Sequence, residues 1–124
     1  MSAVMEQTRS LSTTELCVLA GCSVRQADVW TTRGILQPDR PNPGSGGQRR
    51  YPVSEAVVAC VMAALSADGR PIREDVAPMV RGQLANGARS RAYVEDPSGI
   101  VTLVLDLARA EVLVWERLGA SAGA

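Results

Sequence analysis

The three cysteines of this 124-residue chain are the side chains best suited to covalent or metal chemistry. Cys17 and Cys22 are separated by four residues, and no second pair of ligands accompanies them. Both stand where a helical pattern favours small apolar side chains, and Cys60 lies in another apolar stretch. We therefore expect three reduced core thiols and no metal or redox centre.

Other chemically active patterns are missing from the sequence. Histidine is absent, which excludes histidine acid–base catalysis and histidine-ligated metal. The acidic residues Glu74, Asp75, Glu95 and Asp96 lack the spacing typical of a catalytic pair, so we expect them to be solvated. The chain has neither a phosphate-binding glycine motif nor a catalytic triad. These observations predict a protein that is not an enzyme and that uses no cofactor and no metal.

All 13 basic residues are arginine, and the formal net charge is zero. This uniform choice indicates codon bias in a GC-rich genome, such as that of an actinobacterium or one of its phages. The zero balance argues against indiscriminate coating of nucleic acid. Residues 1–53 carry six arginines and four acidic residues, whereas residues 54–124 carry seven and nine. This mild asymmetry suits a recognition module joined to a partner-binding module.

Two short helices with clear end signals open the globular part of the chain. Ser12 and Glu15 form a capping box at the start of the first helix, which Gly21 ends. Ser23 caps a second helix that runs to about Arg33. Two short helices joined by three or four residues with a glycine are typical of a helix-turn-helix.

A hairpin with a long tip follows the second helix. Residues 35–38 form a short strand or turn, residues 39–48 are rich in proline and glycine, and residues 49–51 form a second strand. The helix over residues 54–67 comes next and carries an apolar stripe. A hairpin in this place is the feature called a wing.

The remainder of the chain changes from helical to mixed patterning. The predicted elements are a helix over residues 73–85, strands over 91–95 and 100–105, and a helix over 107–118. A single longer helix over residues 100–118 is the alternative. We expect flexible tails at residues 1–10 and 119–124.

These elements define a mainly α fold in two regions. Residues 11–87 form a winged helix-turn-helix with its following helices, and residues 88–118 form a small α+β hairpin-helix region. Trp30 and Trp115 are the large anchors of a core otherwise made of Val, Leu, Ile, Ala and Met.

Three motifs in order resemble the MerR family of DNA-binding domains. They are Gly-Cys-Ser-Val-Arg-Gln at residues 21–26, Trp-Thr-Thr-Arg-Gly-Ile-Leu-Gln-Pro at 30–38 and Gly-Gln-Arg-Arg-Tyr at 47–51. The last motif is similar to that of excisionases and short developmental regulators. The resemblance covers residues 11–68. It implies a MerR-like winged helix that binds DNA in a sequence-specific way, as a transcriptional regulator or a phage-type excision factor.

The resemblance implies seven DNA-binding residues. The start of the second helix would meet base edges, where Arg pairs with guanine and Gln with adenine. The far end of that helix and the wing would hold the phosphate backbone. Tyr51 would either donate to a phosphate or pack under the wing. The seven are Ser23, Arg25, Gln26, Arg33, Arg49, Arg50 and Tyr51.

The chain departs from the family pattern at two positions of the second helix. Asp28 replaces a family arginine, and Val29 replaces the aromatic residue that follows it. We expect Asp28 to be a surface residue or a local salt-bridge partner. The long coiled-coil helix, downstream metal-binding cysteines and drug-binding domain of full-length relatives are not evident, so the resemblance does not imply inducer sensing.

Double-stranded DNA is the expected partner, and a homodimer the expected assembly. One small domain buries too little surface for strong specificity alone, and residues 88–118 lack a clear partner within the chain, so we expect dimerisation or a protein partner there. The alternative function is a protein-interaction module, such as an anti-repressor, that reuses the winged helix without DNA binding. The sequence shows no signal peptide and no membrane span, which predicts a cytoplasmic, nucleoid-associated protein without a membrane partner.

Overall fold

The computed structural model describes residues 10–39, 49–67, 75–86, 91–95, 99–100 and 102–123. Within these ranges the structure has five helices and two antiparallel strand pairs. In chain order the elements are β1 (Ser10–Leu11), α1 (Thr13–Ala20), α2 (Val24–Thr32), β2 (Tyr51–Pro52), α3 (Val53–Ala67), α4 (Val76–Ala85), β3 (Arg91–Glu95), β4 (Thr102–Asp106) and α5 (Leu107–Gly123). The predicted class, mainly α with a winged helix-turn-helix and a small α+β region, is confirmed.

The first helix begins and ends as its sequence predicts. The Ser12 N–H donates to Glu15 Oε1 at 2.8 Å, and the Glu15 N–H donates to Ser12 Oγ at 3.1 Å. At the other end Gly21 adopts a left-handed conformation with φ 77°, and its N–H donates to the Cys17 carbonyl at 2.8 Å. The capping box and the glycine together set the chain direction into α2.

A two-residue strand pair ties the start of the chain to the start of α3. Strand β1 runs antiparallel to β2, with Ser10 opposite Pro52 and Leu11 opposite Tyr51. Leu11 and Tyr51 are both buried. The prediction that the flexible tail extends through residue 10 is therefore wrong, because Ser10 is held in this pair.

The structure describes the base of the wing, at residues 35–39 and 49–51. Ile35 and Leu36 form a bend and are buried, which resolves the strand-or-turn alternative in favour of the turn. The Asp39 N–H donates to the Arg50 carbonyl at 2.7 Å and closes the base of the hairpin. The predicted wing tip lies outside the described residues.

Helix α3 is the centre of the core. From Val53 to Met62 every side chain except that of Ser54 is buried. Helices α1, α4 and α5 all pack against α3, which explains why burial continues around the helix and is not confined to one stripe. The predicted start at Ser54 is one residue late.

The C-terminal region contains the predicted strand-then-helix order. Strands β3 and β4 pair antiparallel, with Tyr93 opposite Val104. The single-helix alternative for residues 100–118 is therefore wrong. The break predicted at residues 68–71 and the first residues of the helix predicted to begin at Arg73 lie outside the described residues.

Helix α5 differs from the prediction in its length and in its packing. It continues to Gly123, so the end predicted at Leu118 is too early. Its apolar face is buried within the chain against α1 and α3, and Arg117 Nη1 donates to the Leu19 carbonyl at 2.8 Å. The residues of that face are Leu107, Ala110, Val114 and Leu118. The prediction that residues 88–118 lack an intramolecular partner is wrong for α5.

Candidate nucleic-acid interface

Helix α2 presents one long face to solvent. Its inner side is held by Ala27 and Trp30, both almost fully buried. The exposed residues on and just beyond the helix are Val24, Arg25, Asp28, Val29, Thr32 and Arg33. Because α5 packs on α1 and α3, the described C-terminal residues do not cover this face.

Arg25 and Arg33 stand near opposite ends of the exposed face. Both side chains are exposed, and Arg33 is the residue at which the helix ends. At a rise of about 1.5 Å per residue, the two positions are about 12 Å apart along the helix axis. That spacing suits one arginine for base edges and one for the flanking backbone of a duplex.

Ser23 and Gln26 form a second capping box, which sequence reasoning missed. The Ser23 N–H donates to Gln26 Oε1 at 3.0 Å, and the Gln26 N–H donates to Ser23 Oγ at 3.0 Å. The Ser-x-x-Gln signal is the same one that identified Ser12 and Glu15. Both side chains therefore stabilise the start of α2, and a contact with DNA would come in addition to this role.

An ion pair joins the wing to the exposed face of α2. Arg49 Nη1 lies 3.0 Å from Asp28 Oδ1, and the side chains are 23% and 56% exposed, respectively. The interpretation of Asp28 as a local salt-bridge partner is confirmed. The pairing offsets the acid on this face and places the Arg49 guanidinium beside the helix. Because Asp28 is more than half exposed, the pair contributes little to stability.

Arg50, the second wing arginine, is bound to β1. Its Nε and Nη2 atoms donate to Ser10 Oγ at 3.3 and 3.2 Å, and Nη2 also donates to the Ser10 carbonyl at 3.2 Å. The side chain is half-buried. Arg50 therefore anchors the first strand, a role that the sequence did not indicate because the two residues are 40 positions apart.

Tyr51 lies in the core and not on the surface. Its side chain is fully buried, and its hydroxyl is 2.8 Å from Thr31 Oγ1. Since the Thr31 hydroxyl donates to the Ala27 carbonyl at 2.8 Å, Tyr51 is the donor to Thr31. The assignment of Tyr51 as a DNA-binding residue is corrected: it packs under the wing and holds the inner side of α2.

A buried ion pair supports the turn that leads into the wing. Arg81 of α4 donates through Nε and Nη2 to the Glu55 carboxylate at 2.7 and 2.8 Å, and Nη2 also donates to the Ile35 carbonyl at 2.7 Å. The Gln37 N–H donates to Glu55 Oε1 at 2.9 Å. Helices α3 and α4 thus fix residues 35–37 by side-chain contacts.

The three cysteines lie in the hydrophobic core or pack against it. Cys17 and Cys60 are buried, Cys22 is partly buried, and all three are free thiols. Burial raises the pKa of Cys22 to about 12 and raises the pKa of Cys17 and Cys60 as well. The thiols are therefore protonated at neutral pH, as expected of core residues. Among the described residues no group of three acidic, histidine or cysteine side chains could hold a metal ion.

The fold and the exposed α2 define a winged helix-turn-helix of the class found in DNA-binding regulators. Residues 11–74 match the family described as "MerR HTH family regulatory protein". The match spans more than half of the chain, and the chain belongs to this family. No curated protein matches the chain. No helix among the described residues is long and apolar enough to cross a membrane.

Proposed function

We propose that this protein is a sequence-specific DNA-binding regulator that inserts α2 into the major groove. The observation that supports this most directly is the solvent-facing side of α2, with Arg25 and Arg33 near its ends and Arg49 beside it. Arg25 would pair with a guanine edge, while Arg33 and Arg49 would contact phosphates.

Asp28 does not oppose this role. An unpaired acid on a helix that faces DNA would repel phosphate, but Arg49 lies 3.0 Å from the Asp28 carboxylate. The pair contributes little net charge and keeps the guanidinium at the edge of the exposed face. Arg49 would thus reach a phosphate from its place beside α2.

A gel-shift assay against a randomised duplex library at two salt concentrations tests the proposal. A DNA-binding regulator gives discrete shifted bands that weaken as salt increases, because counterions are released on binding. A protein-interaction module built on the same fold gives no shift at either salt concentration. The neighbouring genes would then separate transcriptional control from excision, since an adjacent integrase favours an excision factor.

Arg25→Ala should reduce the discrimination between selected and random duplexes. Loss of one bidentate arginine–guanine contact corresponds to about 1–3 kcal/mol of discrimination. Non-specific affinity should change much less than specific affinity. Equal loss on both duplexes would contradict a base-reading role for Arg25 and would indicate a phosphate contact.

Arg49→Ala should weaken binding to all duplexes about equally and should lower the slope of affinity against salt by about one ion. The matched control is Asp28→Ala, which removes the other member of the pair and keeps the wing arginine. An unchanged salt slope in Arg49→Ala would contradict the phosphate contact. Arg50→Ala is a separate case, because its bonds to Ser10 predict a loss of stability.

We further propose that two copies associate through the hairpin of β3 and β4. Tyr93 and Val104 are cross-strand partners on the same face, and their side chains are 70% and 54% exposed. An exposed aromatic–aliphatic pair is a suitable centre for an isologous contact. Light scattering of the parent and of Val104→Glu would test this, with a dimer expected for the parent and a monomer for the variant.

A further inference from the structure

Helix α2 exposes apolar side chains beside its arginines. Val24 and Val29 are 49% and 41% exposed, and they are two of the seven large hydrophobic residues that are exposed among the described residues. Val29 follows Arg25 by four residues, so the two side chains are neighbours on one helix face.

Val29 is not part of the hydrophobic core, although its side chain is partly covered. Helix α2 is anchored through Ala27 and Trp30 on the opposite side. Valine is also a weaker helix former than alanine or leucine, because its branched Cβ restricts χ1. In a helix of nine residues, a β-branched residue in solvent therefore lowers helix stability without adding core packing.

The ion pair between Asp28 and Arg49 draws the acidic group away from Arg25 and Val29, which are neighbours on the exposed face of α2. Asp28 lies between them in sequence, and its carboxylate is drawn to Arg49 at 3.0 Å. The surface next to Arg25 is therefore apolar at Val29 and is not dominated by an unpaired acid. A ligand with one polar and one apolar group in adjacent places would complement this pair.

The major groove of DNA offers such a ligand. Guanine presents the N7 and O6 acceptors, and thymine presents the C5 methyl group. Two positions four residues apart are about 6 Å apart along the helix axis, and successive base pairs are about 3.4 Å apart. The two side chains would thus meet bases that lie within about two steps of each other.

We infer that Val29 is a specificity-determining residue that contacts the C5 methyl of a thymine, within about two base pairs of the guanine paired with Arg25. This inference rests on the proposed function, since it needs α2 to enter the groove. It also identifies a chemical feature of the binding site, a thymine methyl beside a guanine.

Deoxyuridine substitution tests the inference, because deoxyuridine differs from thymidine only by loss of the C5 methyl. A duplex is first selected from a random library with the parent protein. Each thymine of the selected duplex is then replaced singly by deoxyuridine, and the dissociation constants are measured. Loss of one buried methyl should weaken binding by about fourfold at one thymine and leave the other positions unchanged.

The variant Val29→Ala should lose most of the preference for the thymine duplex over the deoxyuridine duplex, because its shorter side chain reaches less far toward the methyl group. Alanine favours the helix, so the variant should stay folded, and its circular dichroism melting curve verifies this. The matched control is Val112→Ala on α5, where a valine of similar exposure, 45%, lies outside the helix-turn-helix. This control should keep the parent's preference for thymine.

Two results would overturn the inference while leaving the proposed function intact. In the first, the parent selects a duplex in which no thymine responds to methyl removal. In the second, Val29→Ala keeps the full thymine preference. A library from which no duplex is enriched would instead contradict the proposed function itself, and the inference with it.

Discussion

Individual side-chain contacts determine which charged groups lie on the exposed face of α2. Asp28 and Arg49 are 21 residues apart, yet their ion pair joins an acidic position on α2 to the wing. Arg49 and Arg50 are adjacent and of one type, but Arg49 faces α2 while Arg50 holds Ser10. The environment of each arginine, and not its residue type, therefore determines which guanidinium lies beside the exposed face of α2.

Glu55→Gln should lower the free energy of unfolding by about 3 kcal/mol. Glu55 is 2% exposed, and the change leaves the Arg81 guanidinium without its counterion in a partly buried site. Removing one member of a buried ion pair typically costs 3–5 kcal/mol, and the partial exposure of Arg81 favours the lower end of that range. Urea unfolding followed by circular dichroism measures the effect.

Glu116→Gln is the control for this prediction, because Glu116 is exposed on α5. It should change the free energy of unfolding by less than about 0.5 kcal/mol. If the two variants unfold at the same urea concentration, the Glu55–Arg81 pair does not support the turn at residues 35–37 as described.

Among the helices, local signals carry the information on a helix end where both partners lie within one turn, although the Ser23–Gln26 box was overlooked. Ser12 with Glu15 identified the start of α1, and Gly21 identified its end. The positions of β1 and of Arg50 could not be predicted in this way. Strand β1 forms because Leu11 meets Tyr51, a contact between distant residues that no local pattern encodes.

At the candidate site, too, the sequence predicted the elements better than the burial of each side chain. The sequence located the second helix and the wing, and the structure leaves Arg25 and Arg33 exposed, as a DNA contact requires. Tyr51 is buried in the core, and its hydroxyl bonds to Thr31, 20 residues away. Which residues of a motif face inward is therefore a property of tertiary packing, and the motif alone left it open for Tyr51.

Gly21→Ala should destabilise the turn between α1 and α2 by about 1 kcal/mol. Gly21 has φ 77°, where an L-residue with a Cβ is strained. The new Cβ would also lie 3.4 Å from Arg117 Nη1, which donates to the Leu19 carbonyl. Thermal unfolding should give a lower melting temperature than that of the parent.

Gly82→Ala provides a control with the opposite sign. Gly82 lies within α4, has no left-handed backbone conformation, and no atom stands within 4 Å of the added Cβ. Alanine should therefore raise stability by about 0.5–1 kcal/mol through reduced backbone entropy of the unfolded chain. Destabilisation by both substitutions to the same extent would argue against conformational strain at Gly21.

The helix-turn-helix and the C-terminal region share one hydrophobic core. Helix α5 packs on α1 and α3, and Arg117 bonds to the end of α1. The two regions predicted from the sequence therefore do not correspond to two independent hydrophobic cores. Loss of packing in α5 should destabilise the part of the protein that carries α2.

Val114→Ala tests whether loss of packing in α5 destabilises the helix-turn-helix. The substitution is made in a variant whose tryptophan fluorescence comes from the helix-turn-helix alone. The chain has two tryptophans, so Trp115→Phe leaves Trp30 of α2 as the fluorescent probe. Val114 is fully buried, and its truncation should cost about 2 kcal/mol through lost burial and the cavity left behind. Because the core is shared, the Trp30 fluorescence transition should move to lower temperature together with the circular dichroism signal.

Val112→Ala, on the exposed side of α5, should leave both transitions in place. A circular dichroism shift without a shift of the Trp30 signal would mean that α5 unfolds on its own, and that α2 is stable without it.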